Sequence, residues 1–234
     1  SGVFMLPSTL AQVSGPGATI IAWIITTIGS ILIAISFANL GTKYPSTGGA
    51  YQYTKEAFGD FAGFLSAWLY WNGSWIGNAA IIVAITSYAS AVIPALSNPM
   101  ISIIFSSAIL WIFTIVNILS VKIAGKLQSF VTVFKIGFFA LFIIVAFLNF
   151  DNVNILPLFP EGKGLSTVPL AATSTLWAFI GLESATVAAG EIKNPEKNIR
   201  KSTIYGLIIA SVIYLAISIA SMGAMDNKTL ANST

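Results

Sequence analysis

A carboxylate stands where charge is costly. Glu183 lies in the run LWAFIGLESATVAAG, Leu176–Gly190, whose other residues carry no charge. An ionisable side chain inside an apolar segment marks a proton, ion or substrate site, unless it simply pairs with a polar group on another helix. Gly181 weakens a helix at this point, and Trp177 offers an aromatic face that can receive a cation. A break at Gly181 would expose backbone carbonyls and N–H groups to a ligand, with Glu183 on its far side.

Two other stretches hold polar groups in apolar surroundings. Ser1 and Gly2 open SGVFMLP, and a Ser before an apolar run reads as a helix N-cap. A helix starting inside a membrane presents unpaired N–H groups and a partial positive charge, which suits a carboxylate on a ligand. The same pair also reads as a plain cap. In AWLYWNGSWIGNAA, Tyr70, Ser74 and Asn78 are four residues apart and share a helix face, with Gly73 and Gly77 beside them. That face can hydrogen-bond a ligand or pack closely on another helix.

Other chemistries lack their groups. The chain has no His and no Cys, which removes the usual zinc, copper and haem ligands and the thiol and Ser–His nucleophiles. There is no close carboxylate pair from which to assemble catalysis. No catalytic residue, metal or cofactor is therefore assigned, and an enzyme is not expected. No arginine-rich patch or RNA-binding motif points to nucleic acid.

The elements that must position these residues lie in a lipid bilayer. Of 234 residues, 8% are charged and the mean hydropathy is +0.86, against roughly 25% charged in a soluble domain. No Asp, Glu, Lys or Arg occurs in Ser1–Thr42 or in Phe61–Val121, and further uncharged runs cover Ile136–Phe150, Gly164–Leu182 and Ser202–Met225. A span needs about 20 apolar residues, so Phe61–Val121 holds two, separated at Pro94–Pro99.

The pattern predicts a short helix over Gly2–Val13 and spans near Ala18–Leu40, Phe61–Val92, Met100–Leu119 and Leu127–Asn149. A sixth run, Thr167–Glu191, and a seventh span, Ile199–Met225, complete the series. GTKYPSTGGAYQYTKEAFGD reads as a polar connection, and Asn194 as a side-chain cap for a helix with Pro195 at its first position. Alternate connections carry Lys43, Lys55, Lys122, Lys126, Lys193, Lys197, Arg200 and Lys201, whereas the others carry only Lys163 and Lys228. By the positive-inside rule the first set is cytoplasmic and the short first helix runs outward. Lys135 lies inside the fifth span, where its stem can snorkel toward the interface. The short first helix and the absent initiator Met lead us to expect that residues 1–234 are a fragment of one transmembrane domain.

SGVFMLPSTLA, YPSTGGAYQYTKEAFGDFAGF, WIGNAA, LWAFIGLESATVAAGEIKNPEKNI and SMGAM together resemble the amino acid–polyamine–organocation transporters. The nearest branch is the basic amino acid/polyamine antiporters of the arginine/agmatine type. The resemblance implies an all-α membrane protein: a partial five-plus-five inverted-repeat fold with discontinuous first and sixth helices. It implies that Ser1 and Gly2 hold the substrate carboxylate and that Ile180 offers its carbonyl to the α-amino group. Trp177 would close over the substrate, and Gly73, Ser74 and Asn78 would line the pocket for its tail. Tyr70 and Glu183 would belong to the gate, with Glu183 also a candidate pH sensor.

The implied activity is alternating-access exchange of a basic amino acid for its amine product, arginine/agmatine or ornithine/putrescine. A neutral amino acid permease of the same superfamily, or a remnant without transport, are the alternatives. The expected setting is the bacterial cytoplasmic (inner) membrane. The expected partners are a small amino acid or polyamine and the lipid bilayer, and a homodimer is compatible with the resemblance.

Overall fold

In the computed structural model, residues 2–44, 46–119, 121–187, 189 and 192–233 are described, apart from the side chains at positions 121–123 and 196. The described residues are helical with no strand. The helices are α1 (Leu6–Val13), α2 (Pro16–Lys43), α3 (Ala50–Phe58), α4 (Asp60–Val92), α5 (Pro99–Leu119), α6 (Val121–Leu148), α7 (Asn152–Ile155), α8 (Val168–Trp177), α9 (Ser184–Val187), α10 (Pro195–Ala224) and α11 (Asn227–Ala231). Among the described residues α2, α4, α5, α6 and α10 are long and apolar enough to cross a membrane. They match the second, third, fourth, fifth and seventh expected spans.

The chain forms two compact units, one of residues up to Tyr70 and from Phe142 on, the other Trp71–Leu141. The first is built on α2 and α10. Every fourth residue of α2 from Ala18 to Ala38 is small and buried: Ala18, Ala22, Thr26, Ser30, Ala34 and Ala38. In lipid, helices gain little from hydrophobic exclusion, so small side chains that allow close backbone approach favour contact. α10 packs along this row, presenting buried Ile199, Leu207, Ser211, Ser218 and Ser221. The second unit exposes most of its apolar side chains, as helices facing acyl chains must. Within it, the Thr86 and Ser106 hydroxyls lie 2.7 Å apart and join α4 to α5.

Four sequence expectations are corrected. The first α-helix begins at Leu6, not Gly2, and is preceded by a 3-10 turn at Gly2–Phe4. Pro7 explains the offset: it has no N–H to give to the Val3 carbonyl, and its ring crowds that carbonyl. The connection after α2 contains α3, which places Tyr53 in the core. The fifth span starts at Val121 rather than near Leu127. Asn194 does precede α10, but with left-handed backbone (φ 50°, ψ 61°) and no side-chain cap; its carbonyl instead accepts the Lys197 and Asn198 amides at 3.2 and 3.0 Å.

Candidate functional site

The sixth apolar run is two helices. α8 ends at Trp177, and the chain turns through Ala178–Glu183 before α9 begins at Ser184. Tight i→i+3 bonds fill the gap: Ala178 N to Thr175 O, Phe179 N to Leu176 O, Ile180 N to Trp177 O and Leu182 N to Phe179 O. Gly181 has φ +101°, a conformation L side chains rarely adopt. The expected break therefore lies at the expected residue. Among the described residues the Ile180 carbonyl accepts no backbone hydrogen bond. A carbonyl released from a helix inside a membrane needs another donor, such as a ligand ammonium.

Three contacts hold this turn. The Thr26 and Thr175 hydroxyls are 3.0 Å apart, joining α2 to the last turn of α8. Phe179, 3% exposed, meets the Trp23 ring edge-on at 5.9 Å and the Tyr214 ring at 6.0 Å. Trp23 is fixed in turn by donating from Nε1 to the Ser218 hydroxyl at 2.8 Å. With Phe179 pointing inward, its neighbours Trp177 and Ile180 are left 40% and 71% exposed. Glu183 is half-buried, and its carbonyl accepts the Thr186 amide and hydroxyl at 2.8 and 2.7 Å.

A groove of about 290 Å³ runs between the turn and α10, lined by Phe179, Ile180, Gly181, Thr203, Gly206 and Tyr214 among others. The buried Thr203 hydroxyl has no hydrogen-bond partner among the described residues. It lacks the bond to the preceding turn that Ser211 makes with Leu207.

The far end of the break is closely seated. Gly48 N donates to Val187 O at 3.1 Å. Gly49 has φ +50°, and a Cβ there would lie 2.9 Å from Thr186 Oγ1 and 3.1 Å from Val187 N. A Cβ on Gly41 would lie 3.1 Å from both Thr186 Cγ2 and Ile199 Cγ2. Burial pushes the Tyr53 phenol above its ordinary pKa, with the Thr186 side chain pulling the other way.

The remaining expected site residues are placed as follows. Ser1 lies outside the described residues, and Gly2 begins the 3-10 turn ahead of α1. α1 packs on α8, so the segments after Gly2 and before the break are neighbours. Tyr70 lies on α4 at the end of the first unit's portion. Gly73, Ser74 and Asn78 lie in the second unit. Among the described residues, a Cβ on Gly73 or Gly77 would meet nothing within 4 Å. Asn78 lines a groove of about 600 Å³ against α5, together with Thr114 and Asn117.

Sequence reasoning, which read Trp23 as an interface or packing residue, missed Phe179, Tyr214 and Thr203. The four-residue period of small side chains along α2 was a legible signal for the buried face that carries Trp23. Phe179 had no such signal, because inside an apolar run an inward Phe looks like a lipid-facing one.

The chain is matched over residues 1–234 by the family model described as amino acid permease. It is 33% identical to a cadaverine/lysine antiporter of Escherichia coli strain K12, covering 100% of this chain and 52% of the relative. It is 31% identical to an arginine/ornithine antiporter of Latilactobacillus sakei, over 99% of this chain and 51% of the relative. A Pseudomonas aeruginosa arginine/ornithine antiporter is 30% identical, over 98% and 49%. The chain thus spans about half the length of these curated relatives. Its apolar helices and these bacterial transporters identify a multi-pass integral protein of the bacterial cytoplasmic membrane. Matched from end to end, the chain belongs to the amino acid permease family.

Proposed function

We propose that this chain supplies part of a transporter that exchanges a basic amino acid for its amine product by alternating access. The observation that carries the proposal is the break at Ala178–Glu183, where the Ile180 carbonyl accepts no backbone hydrogen bond among the described residues and lies beside an exposed Trp177. The carbonyl receives the substrate α-ammonium, and Trp177 covers the substrate and stacks on its cationic tail, worth about 0.5–2 kcal/mol. Ser1 and Gly2 hold the carboxylate at the start of the first segment. Gly73, Ser74 and Asn78 receive the tail, while Tyr70 and Glu183 form the gate, Glu183 also sensing pH.

On this reading the two units are parts of one transporter domain. The breaks at Gly2 and Gly181 are corresponding points of two inverted repeats. The connections bearing Lys43, Lys55 and the lysines near Pro195 face the cytoplasm. The relatives' names support the substrate class, since they pair arginine with ornithine and lysine with cadaverine.

The test is counterflow of labelled arginine, ornithine and lysine into proteoliposomes containing this protein, for wild type, Trp177→Leu and Glu183→Gln. The expected result is exchange in wild type, a raised KM for Trp177→Leu and a flattened pH profile for Glu183→Gln. Absence of exchange with every basic amino acid and amine would sink the proposal. Preference for alanine or serine would instead mark a neutral permease.

A further inference from the structure

Lys163 is one of only two cations in the connections of the lysine-poor face, and no role in substrate handling falls to it. It is half-buried and bonds to Ala11, a member of a small apolar cluster with Met222 and Leu230. Its Nζ donates to the Ala11 carbonyl and, at 3.0 Å, to Asn227 Oδ1. Its own carbonyl accepts the Gly15 amide at 3.1 Å. One residue thus touches the end of α1, the turn into α2, and the start of α11, while itself belonging to the loop that leads into α8.

The contact is built rather than incidental. The last carbonyls of a helix have no partner within it. In α1 the Leu10 carbonyl is taken by the Ser14 amide and hydroxyl at 2.8 and 2.9 Å, and the Ala11 carbonyl by Lys163. A cation is favoured at that negative end. The backbone is fitted to match. A Cβ on Gly15 would lie 2.6 Å from Pro160 Cδ and 2.7 Å from the Lys163 carbonyl. A Cβ on Gly17 would lie 2.6 Å from the Phe159 ring. Gln12 adds a second link by donating to Ala231 O at 2.8 Å.

We propose that Lys163 is a tie that makes the outer ends of the two broken segments move as one body. α1 follows the first break and α8 precedes the second, so a substrate leaving or entering on that face must displace both. With Lys163 bonded to α1 and α11 while its backbone grips the Gly15 turn, neither segment opens alone. This rests on the alternating-access reading above, and Lys163 acts as a positioning residue without contact to substrate.

The absence of Cys from the chain makes single-cysteine reporters direct. Ser8→Cys on α1 is to be labelled by a membrane-impermeant maleimide in reconstituted protein carrying Lys163, Lys163→Arg, Lys163→Met or Asn227→Ala. Ala34→Cys, fully buried on α2, serves as the control reporter. The expected result is labelling of Ser8→Cys faster by about tenfold in Lys163→Met and clearly faster in Asn227→Ala, the scale of a lost charged hydrogen bond. Lys163→Arg should restore near wild-type labelling, and Ala34→Cys should stay unreactive throughout. Unchanged Ser8→Cys labelling in both Lys163→Met and Asn227→Ala overturns the tie, as does a parallel rise at Ala34→Cys. Tie-dependent labelling in a protein that exchanges no amino acid supports the tie and overturns the function. Exchange with tie-independent labelling overturns the tie alone.

Discussion

Trp23 meets Phe179 edge-on, with ring centroids 5.9 Å apart and planes at 83°. Through this contact a residue on α2 sets the direction of a backbone turn 156 positions along the chain. The pair orients the turn, because an inward Phe179 leaves Trp177 and Ile180 facing out of the core. Trp23→Phe removes the Nε1–H that meets Ser218 and part of the ring. We expect a loss of about 1–3 kcal/mol in stability, read by thermal unfolding in detergent. Ser218→Ala should cost only about 1 kcal/mol.

Gly181→Ala places a side chain at φ +101° although the space around it is open, with only Ser184 Oγ near at 3.6 Å. The penalty is therefore conformational rather than steric, about 1–2 kcal/mol. Exchange activity should fall more than the melting temperature does, because the strained residue adjoins the proposed ammonium site. An unchanged KM for substrate would count against the placement of that site.

Two glycines give opposite expectations. Gly49→Ala sets a Cβ 2.9 Å from Thr186 Oγ1 at a positive φ, so it should lower stability by about 1–3 kcal/mol and loosen α9. Gly73→Ala meets nothing within 4 Å inside α4 and should leave stability level or raise it by about 0.5–1 kcal/mol. If Gly73 lines the substrate pocket, that stable variant should still show a weakened apparent affinity. Paired melting curves and KM values separate the two effects.

Asp226 caps α11, accepting the Lys228 and Thr229 amides at 3.0 and 3.1 Å and the Thr229 hydroxyl at 2.5 Å. The Thr229 hydroxyl and amide hold its pKa below the ordinary carboxylate value. A group whose folded pKa is depressed contributes stability above its unfolded pKa and loses it as pH falls through the folded one. The difference in melting temperature between wild type and Asp226→Ala should be full near neutral pH and shrink as pH drops through and below the usual carboxylate range. A difference that is constant down to strongly acid pH would show that the charge plays no part in the cap.

The break was legible because Gly181 and Glu183 each disagree with the apolar run around them, and one residue type without helix propensity suffices to mark a discontinuity. Spans were legible from uncharged runs, since lipid penalises charge wherever it falls. α3 was not, because Ala50–Phe58 mixes polar residues with one inward Tyr53 that has no periodic companion. The Asn194 cap failed because the side chain that usually bonds a helix start is here carried on a left-handed residue. The site contacts failed for a different reason. Thr26 with Thr175 and Trp23 with Ser218 are separated by 149 and 195 residues, and neither pair has a local signature.

The row of small side chains along α2 has a mechanical consequence. Ala18, Ala22, Thr26, Ser30, Ala34 and Ala38 present a surface of low relief, with few protruding knobs to lock into α10. Register along such a seam is fixed at specific side-chain pairs, above all Trp23 with Ser218 and with the Tyr214 ring at 5.8 Å. Loss of the Trp23 indole should therefore disturb the register of α10 on α2 more than loss of a hydroxyl from the row.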